Sequence, residues 1–432
     1  MKKKWLSACL ALMTAGTLAF ANGTADTAEK KGAGKTTIIY YAWDDPSIKP
    51  IVDAYNKAQD KIFVDARYIP APDYETKITT LLTAKAEMDC FNEKSQFALF
   101  NHYENGFVEP LDSYLKNSKT DHSAIDNYKT AITYDGKILA YPWRGASYYT
   151  YYNKKLFKNA GIPTPDTYVK NGTWTWEKFA EVSKKLASGD GNVYGSSVYF
   201  WGNNNLFLEA QAQKPIISAN GKIDFDGNIL KWFQMRKDLE NAKAIWPLVD
   251  MKVTKTHYSK QFYDGRTAML LIGEWFPGYM VSGRDKNLLK DYTWTDWGVT
   301  RLPCDNTVYV TMGTPTSNEL VTYGKHKTEA FEFMSWMGGQ GGAMICAANG
   351  LLPPVVTPEV ENVLSGNFPD KQSLTYFTEK KIIYPLLMSK YGTPVDNLTS
   401  SIIEDYLLGK ISDADFNKQY TAKLQEIIDN AN

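Results

Sequence analysis

Chemistry in this chain has to come from aromatic rings set beside carboxylates and amides, because the usual reactive side chains are scattered. Trp43, Asp44 and Asp45 follow one apolar run, Asn92, Glu93 and Lys94 follow another, and Trp201 precedes Asn203, Asn204 and Asn205. A flat ring beside hydrogen-bonding groups suits a ligand with C–H faces and a rim of hydroxyls. A charged acceptor strengthens each such bond from about 1 to roughly 1.5–3 kcal/mol. Each group also has a plain reading: an Asp can cap the next helix, Asn-Glu-Lys can be a solvated turn, and three Asn suit an ordinary loop. Metal chemistry has no comparable pattern. His102, His122, His257 and His326 stand far apart, with no H-x-H, H-E-x-x-H or C-x-x-C spacing, so neither a metal nor a cofactor is expected. G-x-S-x-G is absent. Gly32-Ala33-Gly34-Lys35-Thr36 imitates the end of a P-loop, but Glu29 stands where its first Gly is required.

Elements that hold such groups need a compartment and a core. Lys2, Lys3 and Lys4, the apolar run Trp5 to Phe20 and Ala19-Phe20-Ala21 form the three regions of a secretory signal peptide, so residues 1–21 are expected to be removed and the chain to be periplasmic. Leu6-Ser7-Ala8-Cys9 offers an alternative, a lipoprotein tethered through Cys9, although little apolar sequence precedes that Cys. Without its leader the chain carries 45 basic against 48 acidic groups, which leaves no footprint for nucleic acid. The length calls for two domains. Cys90, Cys304 and Cys346 remain after processing, too few for a disulfide scaffold; one bridge, such as Cys304 to Cys346, is allowed by number, and buried thiols are equally compatible. Aromatic residues make up 14% of the chain, with 12 Trp and 28 Tyr, which in an exported binder suits sugars, although most such rings serve a core.

The order of elements is α/β. Residues 22–35 read as a disordered linker. Thr36 to Trp43 is a β-branched and aromatic strand, Ser47 to Asn56 a helix opened by Asp-Asp-Pro, Ile62 to Tyr68 a strand, and Pro72 to Ala86 a helix. Short strands are predicted near Met88 to Phe91, from Ile138 to Trp143 with a stop at Pro142, and from Ser147 to Asn153. Further along, helices are predicted over 175–186, 206–213, 228–242, 328–337 and 341–348, and strands over 193–201, 267–272 and 297–302. Residues 358–432 read as mainly helical. An open α/β sheet places its binding crevice at the carboxyl ends of its strands.

Several landmarks then line up. Gly106-Phe107-Val108-Glu109-Pro110-Leu111-Asp112, Tyr141-Pro142, Tyr152-Asn153-Lys154-Lys155-Leu156-Phe157, Ala160-Gly161-Ile162-Pro163-Thr164-Pro165 and Thr175-Trp176-Glu177-Lys178-Phe179 occur in order. Gly265-Arg266-Thr267-Ala268-Met269 with Gly273-Glu274-Trp275, then Gly298 to Pro303 and Lys327 to Phe333, continue the series. Together they resemble the extracellular solute-binding proteins of bacterial sugar ABC transporters, family 1, of the maltose and multiple-sugar-binding type. The resemblance covers most of residues 36–430. It departs from the family at Ala84 to Asp89, where a Gly-Pro turn is replaced and only Asp89 survives.

The resemblance implies a two-lobe periplasmic-binding-protein fold with the ligand cleft between lobes and hinge strands crossing near 144–147, 302–313 and 351–354. Lobe 1 is expected over 36–145 plus about 303–352, and lobe 2 over 146–302 plus about 353–432. It implies a monomeric receptor that captures a carbohydrate and delivers it to a membrane permease. Trp143 and Arg144 then sit at the first crossing, where Arg144 suits either ring hydroxyls or an interlobe salt bridge. Trp275 takes the place of the family's stacking Trp, Gly313 and Thr314 lie on a late crossing, and Tyr391 is a candidate from the C-terminal helices. With Trp43, Asp44, Asp45, Asn92, Glu93, Trp201 and Asn203 these complete the expected ligand set. The alternatives are a secreted glycoside hydrolase, which also needs carboxylates around a sugar, and a binder of a non-sugar solute.

Overall fold

The computed structural model describes residues 34–431 apart from 219, 226, 291 and 386–388. The expected leader, Cys9 and nearly all of the expected linker lie outside these residues. β1 (Thr36–Trp43) pairs in parallel with β2 (Ile62–Ile69) along its whole length. Between them the helix Ile48–Ala58 buries Ile48, Ile51, Val52 and Tyr55, whose spacings of three and four put one apolar face on the sheet. The helix Tyr74–Thr83 returns the chain to β3 (Cys90–Glu93), parallel to β1 on its other side. This helix is shorter than predicted, because its approach, Ala71–Asp73, is a 3-10 turn and Lys85 turns away at φ +48°. The turn where the resembling family carries Gly-Pro thus keeps a left-handed residue without glycine. Asp89 beyond it accepts the N–H groups of Ile39 and His326 (2.8 and 2.9 Å), tying β1 to the start of the helix Lys327–Gly338.

The stretch from Ile138 to Trp143, predicted as one strand, is divided. Asp135 and Gly136 both take positive φ (49° and 70°), the backbone of the two-residue turn that Asp-Gly favours. β4 (Thr133–Tyr134) and β5 (Lys137–Ile138) therefore pair with each other. β6 (Tyr141–Arg144) is separate and runs through Pro142 instead of ending there. An outer strand tolerates the missing N–H, and β6 is one.

Beyond Arg144 the chain enters a second α/β body. β7 (Tyr148–Asn153), β8 (Tyr194–Val198), β9 (Thr267–Gly273) and β10 (Trp297–Arg301) form a sheet in the order β10-β7-β9-β8. The period-two alternation of β7 divides its tyrosines between the two faces. Tyr148 and Tyr152 pack with Trp176, Phe207 and Trp232, while Tyr149 and Tyr151 pack with Phe276 and Trp297. β11 (Val310–Met312) stays with this body. Met312 lies in its core, and the Gln211 amide donates to the carbonyls of Pro303 and Val310 (2.8 and 3.2 Å). The return crossing therefore lies at 313–315, later than the boundary expected near 303.

β12 (Thr316–Leu320) then inserts antiparallel between β3 and β6 and completes the first sheet, ordered β2-β1-β3-β12-β6. A last crossing at 351–354 precedes β13 (Ile382–Tyr384), which pairs with β11, and the C-terminal helices, which pack on the second body. The fold is thus the two-lobe α/β architecture, with one core drawn from residues 38–143 and 320–351 and the other from 148–312 and 352–428. Cys346 lies in the first core and Cys304 on a second-lobe loop. All three described cysteines are free thiols, so the allowed bridge is not formed.

At the crossings backbone touches backbone. A Cβ on Gly313 would lie 2.8 Å from the carbonyl carbon of Ala146 and 2.9 Å from the Ser147 nitrogen. Gly145 donates its N–H to the Leu352 carbonyl at 2.6 Å. Gly313→Ala is expected to lower the unfolding free energy by about 1–3 kcal/mol through overpacking. Urea denaturation of the ligand-free protein checks this, and an unchanged midpoint would show that the crossings part freely.

Candidate functional site

A cleft of about 730 Å³ separates the lobes, lined by residues of both and of the crossings. Arg144, the last residue of β6, is buried there between two carboxylates. Its Nη1 donates to Asp45 Oδ2 at 3.0 Å, and its Nε lies 3.0 Å from Glu274 Oε1 as an ion pair. Trp43 and Trp143 flank the guanidinium, their ring centroids 6.0 and 5.3 Å away. Asp45 belongs to the first lobe and Glu274 to the second, so the interlobe salt bridge is the reading that the geometry supports for Arg144. Burial lifts the Glu274 carboxyl to about 7, against the opposing pull of Arg144 and the Leu352 N–H.

The second-lobe wall is aromatic. Trp275 follows the end of β9, and its ring folds back over Gly273, where a Cβ would meet it at 2.1 Å. Its Nε1 donates to Tyr258 Oη at 2.8 Å, and its ring packs edge-on to Tyr148 (5.6 Å) and tilted to Trp201 (6.0 Å). Tyr258 in turn meets Trp201 and Tyr279 edge-on. Trp201 and Tyr279 are the most open rings of the group, 37% and 38% exposed. The Ser259 N–H donates to Nδ1 of His257, and burial lowers that ring to about 4, so it is a neutral part of the wall.

Charges around the cleft are mostly matched. Lys94 pairs with Glu75 (3.6 Å) and Lys252 with Glu404. Asp396, on the helix Gly392–Leu407, is the exception: its Oδ1 is buried without a hydrogen-bond partner, and burial raises the carboxyl to about 6. It sits against Gly202, whose missing side chain makes the space, since a Cβ there would lie 2.7 Å from Asp396 Oδ1.

Of the expected ligand residues, the structure brings together Trp43, Asp45, Arg144, Trp201, Asn203, Trp275, Gly313 and Thr314. Five lie elsewhere. Asp44 is exposed and accepts the Ala71 N–H (2.8 Å), holding the turn after β2. Asn92 and Trp143 are buried and bonded to each other, indole Nε1 to amide Oδ1 at 3.2 Å, because the pleat of β6 turns Trp143 away as it presents Arg144. Glu93 is buried behind the cleft, where its Oε1 accepts the N–H groups of Lys94 and Ser95. Tyr391 lines a side chamber of about 50 Å³ next to the cleft. Asn204 and Asn205 turn inward to the Tyr199 carbonyl and the Trp232 indole. Tyr148, Tyr258, Tyr279 and Asp396 were not foreseen. For Tyr148 the signal was its place at the start of a strand, and for Asp396 the Gly392-Thr393-Pro394 helix start.

Residues 42–344 match the family profile described as bacterial extracellular solute-binding protein. Over 99% of both chains the protein is 21% identical to a binding protein of Brucella abortus. It is 28% identical over 235 residues to the sn-glycerol-3-phosphate-binding periplasmic protein UgpB of Yersinia enterocolitica, which covers 54% of this chain and 47% of that one. Among solved structures, a sugar transporter from Rhizobium etli in an open conformation superposes with a TM-score of 0.74 at 24% identity, covering 90% of this chain and 99% of that chain. An ABC substrate-binding protein from Listeria monocytogenes in complex with cycloalternan gives 0.72 at 23%, covering 92% and 98%. These likenesses share the two-lobe fold.

Glu274 titrates at about 7 when folded, above the ordinary 4.5, so the folded state binds its proton more tightly than the unfolded chain. Its contribution to stability is full below about pH 4.5 and is lost as the pH rises through about 7. Glu274→Gln should flatten this part of the stability profile, measured as denaturation midpoints across that window. An identical slope in the variant would sink the assignment.

Proposed function

Because the chain belongs to the bacterial extracellular solute-binding protein family, we propose that it is the substrate receptor of an ABC importer, which captures a mono- or oligosaccharide between its lobes and presents the closed form to a membrane permease. The observation that carries this reading is the wall of Trp201, Tyr258 and Trp275 facing hydrogen-bonding groups across one cleft. Such a wall takes the C–H face of a sugar ring while the polar side meets its hydroxyls. Hinge closure is the motion for which periplasmic binding proteins are a standard example. The ligand must favour the closed state over the open one for any signal to reach the permease.

Charge supports a neutral ligand over a phosphorylated one such as the glycerol phosphate of the UgpB relatives. Arg144, Lys94 and Lys252 already face carboxylates, so none is left to neutralise a phosphate. The same pairing supports binding without turnover. Glycosidases need two working carboxyls about a bond, and here Asp45, Glu274 and Glu75 are engaged, which leaves Asp396 as a hydroxyl acceptor. The lobes are best divided as 36–145 with about 313–352, and 146–312 with about 353–432. Export to the periplasm with cleavage after Ala21 completes the reading, with tethering through Cys9 as the alternative; among the described residues no helix is long and apolar enough to cross a membrane. The receptor acts as a monomer.

A thermal-shift panel of mono- and oligosaccharides tests this, since a specific ligand raises stability as RT ln(1 + [L]/Kd). One sugar class should stabilise the protein, and Trp275→Ala and Trp201→Ala should each weaken its binding about tenfold, or roughly 1.4 kcal/mol. Stabilisation by glycerol phosphate or peptides alone, or hydrolysis of the sugar, would overturn the reading.

A further inference from the structure

The first lobe holds a polar cluster that the cleft does not use. β3 and β12 run antiparallel with Glu93 opposite Ser317. Glu319, two residues further along, projects from the same face, so both carboxyls stand on one side of the sheet. The helix Gln96–Glu104 follows β3 directly and brings His102 to them, its Nδ1 2.9 Å from Glu319 Oε2. One donor atom from each of the three residues lies within 4.8 Å of the others. All are buried, with exposures of 3%, 6% and 0% for Glu93, His102 and Glu319.

Two of the four carboxylate oxygens have no hydrogen-bond partner among the described residues, Glu93 Oε2 and Glu319 Oε1. Orphaned oxygens this deep call for an occupant, an ion or an ordered water. A chamber of about 10 Å³ beside them has walls that include Glu93 and Glu319, and it is the size of about one water-sized sphere. With both carboxyls ionised and the imidazole neutral, a divalent cation brings the site to zero charge and gives both orphaned oxygens a partner, whereas without an ion the site reaches zero only by taking up protons.

We propose that Glu93, His102 and Glu319 hold one divalent first-row metal ion, with Zn2+ the ion that best suits a set of two carboxylates and one imidazole. The ion replaces the hydrogen bond between His102 and Glu319, and a water in the chamber completes its shell. Bonds of about 2.0–2.2 Å in a tetrahedral shell set donor atoms roughly 3.3–3.6 Å apart, so donors as far apart as 4.8 Å draw in by about an ångström on binding. The three positions, 93, 102 and 319, have no local spacing, which is why no sequence motif announces them. The site joins the strand that ends at the Lys94–Ser95 rim of the cleft to the strand that leaves the 313–315 crossing. It therefore braces the first lobe behind the ligand, and the proposal stands whatever solute the cleft takes.

The test uses the full chain, stripped with a chelator and titrated with Zn2+ or Mn2+. Native mass spectrometry should count one ion per chain, with a rise in melting temperature, and His102→Gln and Glu319→Gln should each weaken binding by about tenfold or more. X-ray absorption on the wild-type protein should show nitrogen and oxygen neighbours at about 2.0–2.2 Å. No stoichiometric ion after titration of the stripped wild type, undiminished affinity in both variants, or an oxygen-only shell would each overturn the proposal. The wild-type ion count and absorption spectrum decide the matter even where a variant fails to fold.

Discussion

A guanidinium buried between carboxylates of two different lobes governs the arrangement of this protein. Arg144 holds Asp45 from the first lobe and Glu274 from the second, and Glu274 also accepts the N–H of Leu352 on the last crossing. The remaining crossing passes close by, its Gly313 packed on Ala146. All three covalent links between the lobes therefore meet around one charge. A buried pair of this kind adds little net stability over apolar packing, but loss of one partner strands the other, so it specifies geometry strongly.

The cleft follows from that constraint. Once Arg144 is neutralised by its own lobes, the guanidinium frames the floor of the site and leaves the Trp201, Tyr258 and Trp275 wall as the main apolar surface. The wall depends on backbone details: Gly273 lets the Trp275 indole fold over the end of β9, and Gly202 lets the helix bearing Asp396 approach. The alternation of β7 supplies Tyr148 to the cleft face while Tyr149 and Tyr151 fill the core behind. Both faces of β7 are thus core, and only Tyr148, at the start of the strand, also borders the cleft.

Where sequence reading misplaced a residue, the cause was direction and not position. Asn92, Glu93 and Trp143 do stand at strand ends, yet their side chains turn into the first lobe, and Trp143 differs from its neighbour Arg144 only by one step of the pleat. Asp44 differs from Asp45 in the same way, one holding the turn after β2 and the other reaching Arg144. The strand predicted through Ile138 was divided by an Asp-Gly turn whose signal was present but outweighed by the apolar run.

In the sequence alone, hydrophobic periodicity carries the α/β order because it is a local property of the chain, while the two-lobe fold and crossings near 144–147 and 351–354 are what the resemblance of its ordered motifs implies. Eight of the expected residues line the cleft: Trp43, Asp45, Trp201 and Asn203 are legible as loops after strand ends, and Arg144, Trp275, Gly313 and Thr314 come from the resemblance. Only the tertiary structure decided that Arg144 bridges the lobes, that residues 303–312 stay with the second, and that Tyr258, Tyr279 and Asp396 share the wall. The same holds for Glu93, His102 and Glu319, brought together from strands and a helix distant in sequence. Such meetings depend on pleat direction and strand register, which no single segment encodes and which are settled when the lobes pack.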